Sequence, residues 1–179
     1  MIIWHDVEQG SPEWHALRKP LWTGSRAIRL LQGKPFMEEA VFAGNNATRR
    51  GHMLEVVALR EYERKYGRKV QRPGFVTNTI YSNAGYSPDA IDGGWLLECK
   101  AFSGVRHEDL VAEKIPLTVQ VQIFFGMIIT GKRKARLLAY NPEVVGYDPL
   151  TVIEITYDKL IGNNIRSKLR LDMKKRRSI

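Results

Sequence analysis

The sequence predicts a single α/β domain in which helices flank a central mixed β-sheet. Segments with helical periodicity precede and follow a middle stretch of short strand-like runs, and that order is typical of α/β proteins. In addition, no internal repeat, low-complexity block or linker rich in proline, glycine or serine divides the 179 residues. We therefore expect one domain that spans residues 1–179.

Two short helices are predicted near the N-terminus. Ser11 and Pro12 supply an N-cap and a first-turn proline for a helix that ends at Arg18. Ser25 follows a glycine and is a suitable cap for a second helix over residues 25–31.

A longer helix is predicted over residues 49–66. This segment is rich in helix-forming residues, and Gly67 ends it. At ~100° per residue, one face of the helix collects apolar side chains. These are Leu54, Ala58, Leu59, Tyr62 and Tyr66.

The middle of the chain is predicted to form strands. Residues 74–81 and 95–102 are strand-like, and turn-forming residues occupy positions 82–85 and 92–94. We expect a β-meander to begin in this region.

The last part of the chain returns to helices by way of two more strands. Residues 117–130 begin with strand-like alternation, but their length and apolar continuation favour a buried helix. Residues 134–140 and 150–157 predict strands, and a basic helix is predicted from about residue 158.

The net charge favours a polyanionic partner. Lys+Arg 28 against Asp+Glu 19 gives +9 on a small domain, although a solvated basic surface without a specific ligand explains the charge equally well. The C-terminal stretch predicts a phosphate-facing helix or tail. Its cations are Arg166, Lys168, Arg170, Lys174, Lys175, Arg176 and Arg177, against the single acid Asp172.

The sequence argues against a membrane or secreted protein. No window approaches the ~20 consecutive apolar residues of a membrane span, and the first residues do not resemble a signal peptide. The single cysteine, Cys99, excludes an internal disulfide, an all-cysteine zinc site and a cysteine-ligated iron–sulfur cluster. We expect an intracellular protein that has no contact with a membrane.

A candidate metal site lies around residues 87–100. Glu98 and Lys100 are two apart on a predicted strand, so their side chains share a face. Asp89 precedes the strand and is able to return to the same point, where two carboxylates suit Mg²⁺. The alternative is that Glu98 and Lys100 form a surface ion pair and Asp89 caps a turn. With a metal, the set suits phosphodiester hydrolysis, in which the lysine orients the nucleophile and offsets charge.

Glu55 strengthens the metal interpretation. It lies among the apolar residues of the long predicted helix, where an acid needs a partner. A metal held by Asp89 and Glu98 is one candidate partner, and Arg18 or Arg60 is another. Because Arg60 falls on the opposite helix face, the metal is favoured.

These residues belong to a series of motifs that resembles the phage lambda exonuclease branch, or YqaJ-like viral recombinases, of the PD-(D/E)XK nucleases. The motifs occur in the family's order along nearly the whole chain. They are Glu8-Gln9-Gly10, Trp14-His15-x-Leu17-Arg18, Thr23-Gly24-Ser25, Gly51-x-x-x-Glu55-x-x-Ala58, Ser87-Pro88-Asp89, Leu97-Glu98-x-Lys100, Gln120-Val121-Gln122 and Tyr140-Asn141-Pro142. The resemblance implies a restriction-endonuclease-like core.

The resemblance also implies a role for each motif residue. Asp89 and Glu98 would ligate Mg²⁺ together with the backbone carbonyl of Cys99, and Glu55 would serve the same metal site; Mn²⁺ is a possible substitute. Lys100 would position or activate the attacking water, with Gln120 beside it.

A second pair of residues is implied to bind the 5′ phosphate of the degraded strand. This pair is Arg18 and Ser25, a guanidinium and a serine at a helix start, which suit an anion on physical grounds as well. The alternatives are that Arg18 pairs with Glu13 or Glu55, and that Ser25 is a plain helix cap.

The chain departs from the family pattern at several positions. Ala90 replaces the glycine that usually follows the metal-binding aspartate, and Gly24 replaces alanine before the serine. Cys99 falls between the glutamate and the lysine. The chain is also shorter than the lambda enzyme, with less sequence between the second helix and the Glu55 helix.

The function implied by the resemblance is that of a Mg²⁺-dependent deoxyribonuclease. We expect a 5′-to-3′ exonuclease that acts on linear double-stranded DNA ends and leaves 3′ single-stranded tails. The family further implies a homotrimeric ring and a single-strand annealing protein as partner in recombination, in a phage or prophage protein of the bacterial cytoplasm. An endonuclease or junction resolvase with the same catalytic core, and a catalytically silent DNA-binding module, are the alternatives.

Overall fold

The computed structural model describes residues 1–38 and 46–178. Its strands are β1 (Ile2–His5), β2 (Phe75–Asn78), β3 (Tyr81–Tyr86), β4 (Ala90–Asp92), β5 (Trp95–Lys100), β6 (Lys134–Tyr140) and β7 (Leu150–Ile155). Its helices are α1 (Pro12–Arg18), α2 (Ala27–Leu31), α3 (Asn46–Tyr66), α4 (Val105–Val111), α5 (Leu117–Thr130) and α6 (Lys159–Arg177). A short 3₁₀ turn, Gly24–Arg26, precedes α2.

The strands form two sheets. An antiparallel sheet has the order β1-β2-β3, and a second sheet has the order β4-β5-β6-β7. In the second sheet β5 and β6 run parallel while the outer pairs are antiparallel. Helix α5 lies in the crossover between β5 and β6, as a parallel pair requires. The fold is thus mixed α/β, which confirms the predicted class.

Helices cover both faces of the four-stranded sheet. On one face, Ala58 and Leu59 of α3 pack with Leu97 of β5. On the other face, Leu96 of β5 packs in the larger core with residues of α5 and α6. Neighbouring residues of β5 therefore point to opposite layers, as the strand alternation predicts.

Helix α6 packs in the larger core, on the same side of the sheet as α5. Asp158 caps this helix by accepting the backbone N–H groups of Leu160 and Ile161 at 2.7 and 3.0 Å. Ile165 and Leu169 are fully buried in the larger core. The basic helix predicted from about residue 158 is confirmed.

The predicted turn at 82–85 is wrong, because these residues lie inside β3. Position 85 requires a glycine because the ring of Phe75 occupies the space of a side chain: a Cβ atom there would stand 2.3 Å from Cζ of Phe75. Asn83 connects the strand to α6, because its side-chain amide donates to the carbonyl of Leu169 at 3.1 Å and to Asp172 at 2.8 Å. Two residue types that are typical of turns therefore occur in this strand because they contact another strand and α6.

Three further elements were not predicted from the sequence. These are the short strands β1 and β4 and the helix α4, which lies between β5 and α5. Helix α3 begins at Asn46, ahead of the predicted residue 49. Of the described helices, none combines the length and the apolar character that crossing a membrane requires.

Candidate active site

A cleft of about 800 Å³ opens where β5 ends beside α3. Its lining brings together most of the residues that the sequence singled out: Glu55, Asp89, Glu98, Cys99 and Lys100. Arg50 and Arg106 also line it. The cleft thus combines buried carboxylates with cations on its walls.

The Glu98 carboxylate is held at both oxygens. Its Oε1 accepts from Nζ of Lys100 and from Nε2 of Gln122, each at 2.5 Å. Its Oε2 accepts from the hydroxyl of Tyr86 at 2.5 Å. The Glu98 side chain is only 1% exposed, so these three donors fix a carboxylate that water does not solvate.

Asp89 lines the same cleft and lies directly before β4 of the β4–β5 hairpin. Its Oδ2 accepts the backbone N–H of Cys99 at 2.6 Å, which ties the aspartate to the middle of β5. Burial raises the pKa of Asp89 well above its usual range, and the nearby Glu98 and Glu55 carboxylates raise this pKa further. The ionised form of Asp89 is therefore disfavoured unless a cation joins the group.

Lys100 is the cation inside the group. Burial lowers the pKa of Lys100, but the Glu98 and Asp89 carboxylates outweigh burial and raise this pKa to about 12. The side chain is 18% exposed and lines the cleft. Lys100 therefore presents an ammonium group at neutral pH.

Glu55 pairs with an arginine that is not among the candidates predicted from the sequence. Its Oε1 lies 3.1 Å from a guanidinium nitrogen of Arg72, in the segment between α3 and β2. Burial raises the pKa of Glu55, and Arg72 and His52 counteract part of this increase. The expectation that Arg18 or Arg60 is the alternative partner of Glu55 is corrected to Arg72.

The predicted phosphate-binding pair also comes together. Arg18 donates to Oγ of Ser25 at 3.5 Å and to Oγ of Ser87 at 3.2 Å. The guanidinium of Arg18 stacks on the ring of Trp14 at 4.0 Å, and the Trp14 indole N–H donates to Ser87 at 2.9 Å. Ser87 is two residues before Asp89, so one short segment of chain connects this group to the carboxylate cleft.

Gln120 is the predicted residue that the structure does not bring to the carboxylates. Its side-chain amide donates to the carbonyl of Ile115 at 2.8 Å, whereas Gln122 contacts Glu98 and lines the cleft. The expectation of Gln120 beside Lys100 is therefore corrected to Gln122. Tyr86 was missed altogether, although it precedes the Ser87-Pro88-Asp89 motif directly.

The donor set suits a hard divalent cation. Asp89 and Glu98 offer carboxylate oxygens, the ligands that Mg²⁺ prefers, and a bound cation would offset the burial and the neighbouring carboxylates that raise the pKa of Asp89. Across residues 1–38 and 46–178, no three His, Cys, Asp or Glu side chains cluster closely enough to hold an ion. Asp89 and Glu98 are therefore the two side chains of the cleft whose oxygens fit such an ion.

Solved structures resemble this chain along most of its length. An alkaline exonuclease (LHK-Exo) from Laribacter hongkongensis matches with a TM-score of 0.77 and 20% identity, covering 92% of each chain. The same enzyme in complex with dAMP gives the same values. A phage related exonuclease from Haemophilus somnus 129PT matches with a TM-score of 0.62 and 14% identity, covering 87% of this chain and 93% of the other.

Sequence comparison identifies the family. No curated protein matches the chain. A family of domains, by contrast, matches residues 28–133, which is more than half of the sequence and includes Glu55, Asp89, Glu98, Lys100 and Gln122. The chain belongs to the YqaJ-like viral recombinase domain family.

Proposed function

We propose that this protein is a divalent-metal-dependent DNA exonuclease that digests one strand of linear duplex DNA from its 5′ end. The observation that carries the proposal is the position of Ser87. Its hydroxyl accepts from Arg18, which also reaches Ser25, and Asp89 of the carboxylate group follows two residues later. A candidate phosphate site and a candidate hydrolytic site are thus joined by one short segment.

This spacing favours cleavage near a DNA end. Two residues of extended chain span about 7 Å, and phosphates along one strand of duplex DNA follow one another at about 3.4 Å of helix axis. A terminal 5′ phosphate bound by Arg18 and Ser25 would therefore lie within a nucleotide or two of the Asp89 and Glu98 carboxylates. An enzyme that cuts internally has no need of a terminal phosphate site at this distance.

Each residue of the cleft has a task in this proposal. Asp89, Glu98 and the backbone carbonyl of Cys99 hold the divalent cation, Mg²⁺ or Mn²⁺. When bound, the cation supplies Lewis acidity that lowers the pKa of water and neutralises charge on the phosphate. Lys100 holds the water in line and offsets developing negative charge with its ammonium group. Tyr86 and Gln122 keep the Glu98 carboxylate in one orientation.

The descriptions of the matched proteins support the exonuclease part of this proposal. Two of the three structures are described as an alkaline exonuclease, one of them with dAMP bound, and the third as a phage related exonuclease. The family is described as a viral recombinase domain. From this we extend the proposal to a role in phage recombination, in which the 3′ single-stranded tails pass to a single-strand annealing protein.

Digestion of end-labelled linear duplex tests the activity. We expect loss of nucleotides from 5′-phosphorylated ends in Mg²⁺, none in EDTA, and no cutting of a covalently closed circle. Lys100→Ala should abolish cleavage while DNA binding persists, whereas Lys69→Ala, which alters an exposed lysine outside the cleft, should cut normally. Cutting of the circle would move the protein to the endonucleases or resolvases.

The phosphate site has its own test. Arg18→Ala should reduce the preference for 5′-phosphorylated over 5′-hydroxyl ends, because the guanidinium that holds the phosphate is removed. Equal preference ratios in Arg18→Ala and the wild type would contradict the assignment of Arg18.

The proposed assembly is a homotrimeric ring that encircles the DNA. Light scattering on the native protein should give three times the monomer mass. A monomer that nevertheless degrades long duplexes processively would contradict the ring.

A further inference from the structure

The outward side of α6 carries a row of cations that the cleft does not use. At ~100° per residue, Arg166, Arg170, Lys174 and Arg177 fall within one narrow sector of the helix. Ile165 and Leu169 lie outside this sector and are fully buried in the larger core. We call the four cations the α6 basic face.

No acid lies on the α6 basic face. The single acid of the helix, Asp172, points toward the body of the protein, where it accepts from Asn83 at 2.8 Å and from Arg176 at 2.7 Å. Among the described residues, none forms an ion pair with Arg170, Lys174 or Arg177. The positive charge of this face is therefore not neutralised within the described part of the chain.

The face is held in place at both ends. Arg166 donates to the hydroxyl of Tyr157 at 2.6 Å, which fixes its guanidinium near the start of the row. At the other end Arg176 donates to the carbonyl of Pro20 at 2.9 Å. This second bond ties the C-terminal end of α6 to the segment that connects Arg18 with Ser25.

A groove runs along this face. It has a volume of about 420 Å³ and is lined by Asn163, Arg166, Ser167, Arg170, Leu171 and Lys174. It shares no lining residue with the catalytic cleft. Its polar residues, an amide and a hydroxyl beside three cations, are groups that donate hydrogen bonds to phosphate oxygens.

We propose that the α6 basic face binds the phosphate backbone of duplex DNA outside the catalytic cleft. The inference rests on the proposed function, since it assigns the surface to the same substrate. The row from Arg166 to Arg177 is about 16 Å long at 1.5 Å per residue, and one DNA strand carries a phosphate for every 3.4 Å or so of helix axis. Four cations thus extend along about five phosphates of one strand.

The composition of the face favours DNA over a membrane surface. A helix that lies on a bilayer needs a continuous apolar strip beside its cations. The exposed large apolar residues of α6 are Leu160 and Leu171, which are too far apart in the sequence to form such a strip. Anionic vesicles therefore serve as a comparison ligand in the test.

The test is a salt titration of DNA binding. A triple variant, Arg170→Gln with Lys174→Gln and Arg177→Gln, is compared with wild type on a fluorescein-labelled duplex in EDTA, where no cleavage occurs. Arg166 is left intact because of its bond to Tyr157. We expect the slope of log K against log salt concentration to fall by about 2.7, or roughly 0.9 for each lost phosphate contact.

A matched triple variant controls for net charge. Arg60→Gln with Lys69→Gln and Arg133→Gln removes the same charge from exposed positions outside both the cleft and the α6 groove. The salt slope of this variant should stay close to that of the wild type. Thermal unfolding of both variants verifies that each is folded.

Three results would overturn the inference. They are an unchanged slope in the α6 variant, an equal decrease in the control variant, and tighter binding of the wild type to anionic vesicles than to duplex. Because binding is measured in EDTA, a wild type that binds DNA through α6 but never cleaves would contradict the proposed function alone.

Discussion

The ring of Tyr86 lies directly against Gly24, so that a Cβ atom at position 24 would stand 2.7 Å from Cε2 of Tyr86. Gly126 of α5 faces another part of the same ring, where a Cβ atom would stand 2.5 Å from Cζ. Two glycines therefore enclose the tyrosine whose hydroxyl holds Glu98. The departure from alanine at position 24 now has a structural reason.

Gly24→Ala should destabilise the protein. The new methyl group must displace the Tyr86 ring, and Gly126 leaves that ring little room to move. Overpacking of this kind costs about 1–3 kcal/mol in the free energy of unfolding. Urea denaturation measures the change, with Gly94→Ala as control because its Cβ atom would meet no atom within 4 Å. Equal stabilities of the two variants would contradict the packing argument.

Tyr86→Phe should reduce the rate of DNA cleavage. The variant keeps the ring but removes the donor to Oε2 of Glu98, which leaves a buried carboxylate with fewer hydrogen bonds. Hydrogen bonds to charged groups contribute about 1.5–3 kcal/mol, so a decrease in kcat of tenfold or more is expected. Tyr81→Phe, at another buried tyrosine of the same strand, should cleave at the wild-type rate. If both variants are fully active, Tyr86 does not position Glu98.

The sequence predicted the residues of the cleft better than their partners. Asp89, Glu98 and Lys100 are close in the chain, so strand alternation and a short hairpin suffice to bring them together. The partner of Glu55 is Arg72, which lies in a segment without regular periodicity between α3 and β2. The position of such a segment depends on tertiary packing, which no local pattern encodes.

The prediction of Gln120 instead of Gln122 as the glutamine in the site was wrong for a geometric reason. Gln120 and Gln122 are two positions apart on α5, and about 200° of rotation separates their side chains. Only one of them is able to face Glu98, and the motif contains both. The direction in which a helix face points is set by its packing, here with fully buried Val121 and Ile123.

Gln122→Ala should therefore impair cleavage while Gln120→Ala should not. Gln122 donates to Oε1 of Glu98 at 2.5 Å, whereas Gln120 donates to a main-chain carbonyl. We expect roughly a tenfold decrease in kcat for Gln122→Ala and less than a twofold change for Gln120→Ala. Single-turnover cleavage of a 5′-phosphorylated duplex compares the two. The opposite order of effects would restore Gln120 to the site.

Similar reasoning explains the errors in the fold. Turn-forming residues at 82–85 occur inside β3 because Gly85 makes room for Phe75 and Asn83 bonds to α6. Both causes are contacts with residues distant in the chain. The long helices were predicted well, since their periodicity is repeated over several turns.

The cluster of buried carboxylates predicts that the metal-free protein loses stability as pH rises. The pKa of Asp89 is raised in the folded protein, so the folded state retains a proton that the unfolded state has released. Under that condition the free energy of unfolding falls with increasing pH, from the ordinary aspartate pKa of about 3.9 up to the raised value.

Asp89→Asn removes this titration and should stabilise the protein in EDTA at neutral pH, while abolishing cleavage. Asp148→Asn is the control with the opposite sign, because hydrogen bonds from Leu150 and Lys65 lower the pKa of Asp148. Adding Mg²⁺ should raise the melting temperature of the wild type increasingly as pH rises, and leave that of Asp89→Asn nearly unchanged. A variant Asp89→Asn that is less stable than the wild type in EDTA would contradict the argument that burial and the neighbouring carboxylates disfavour the ionised aspartate.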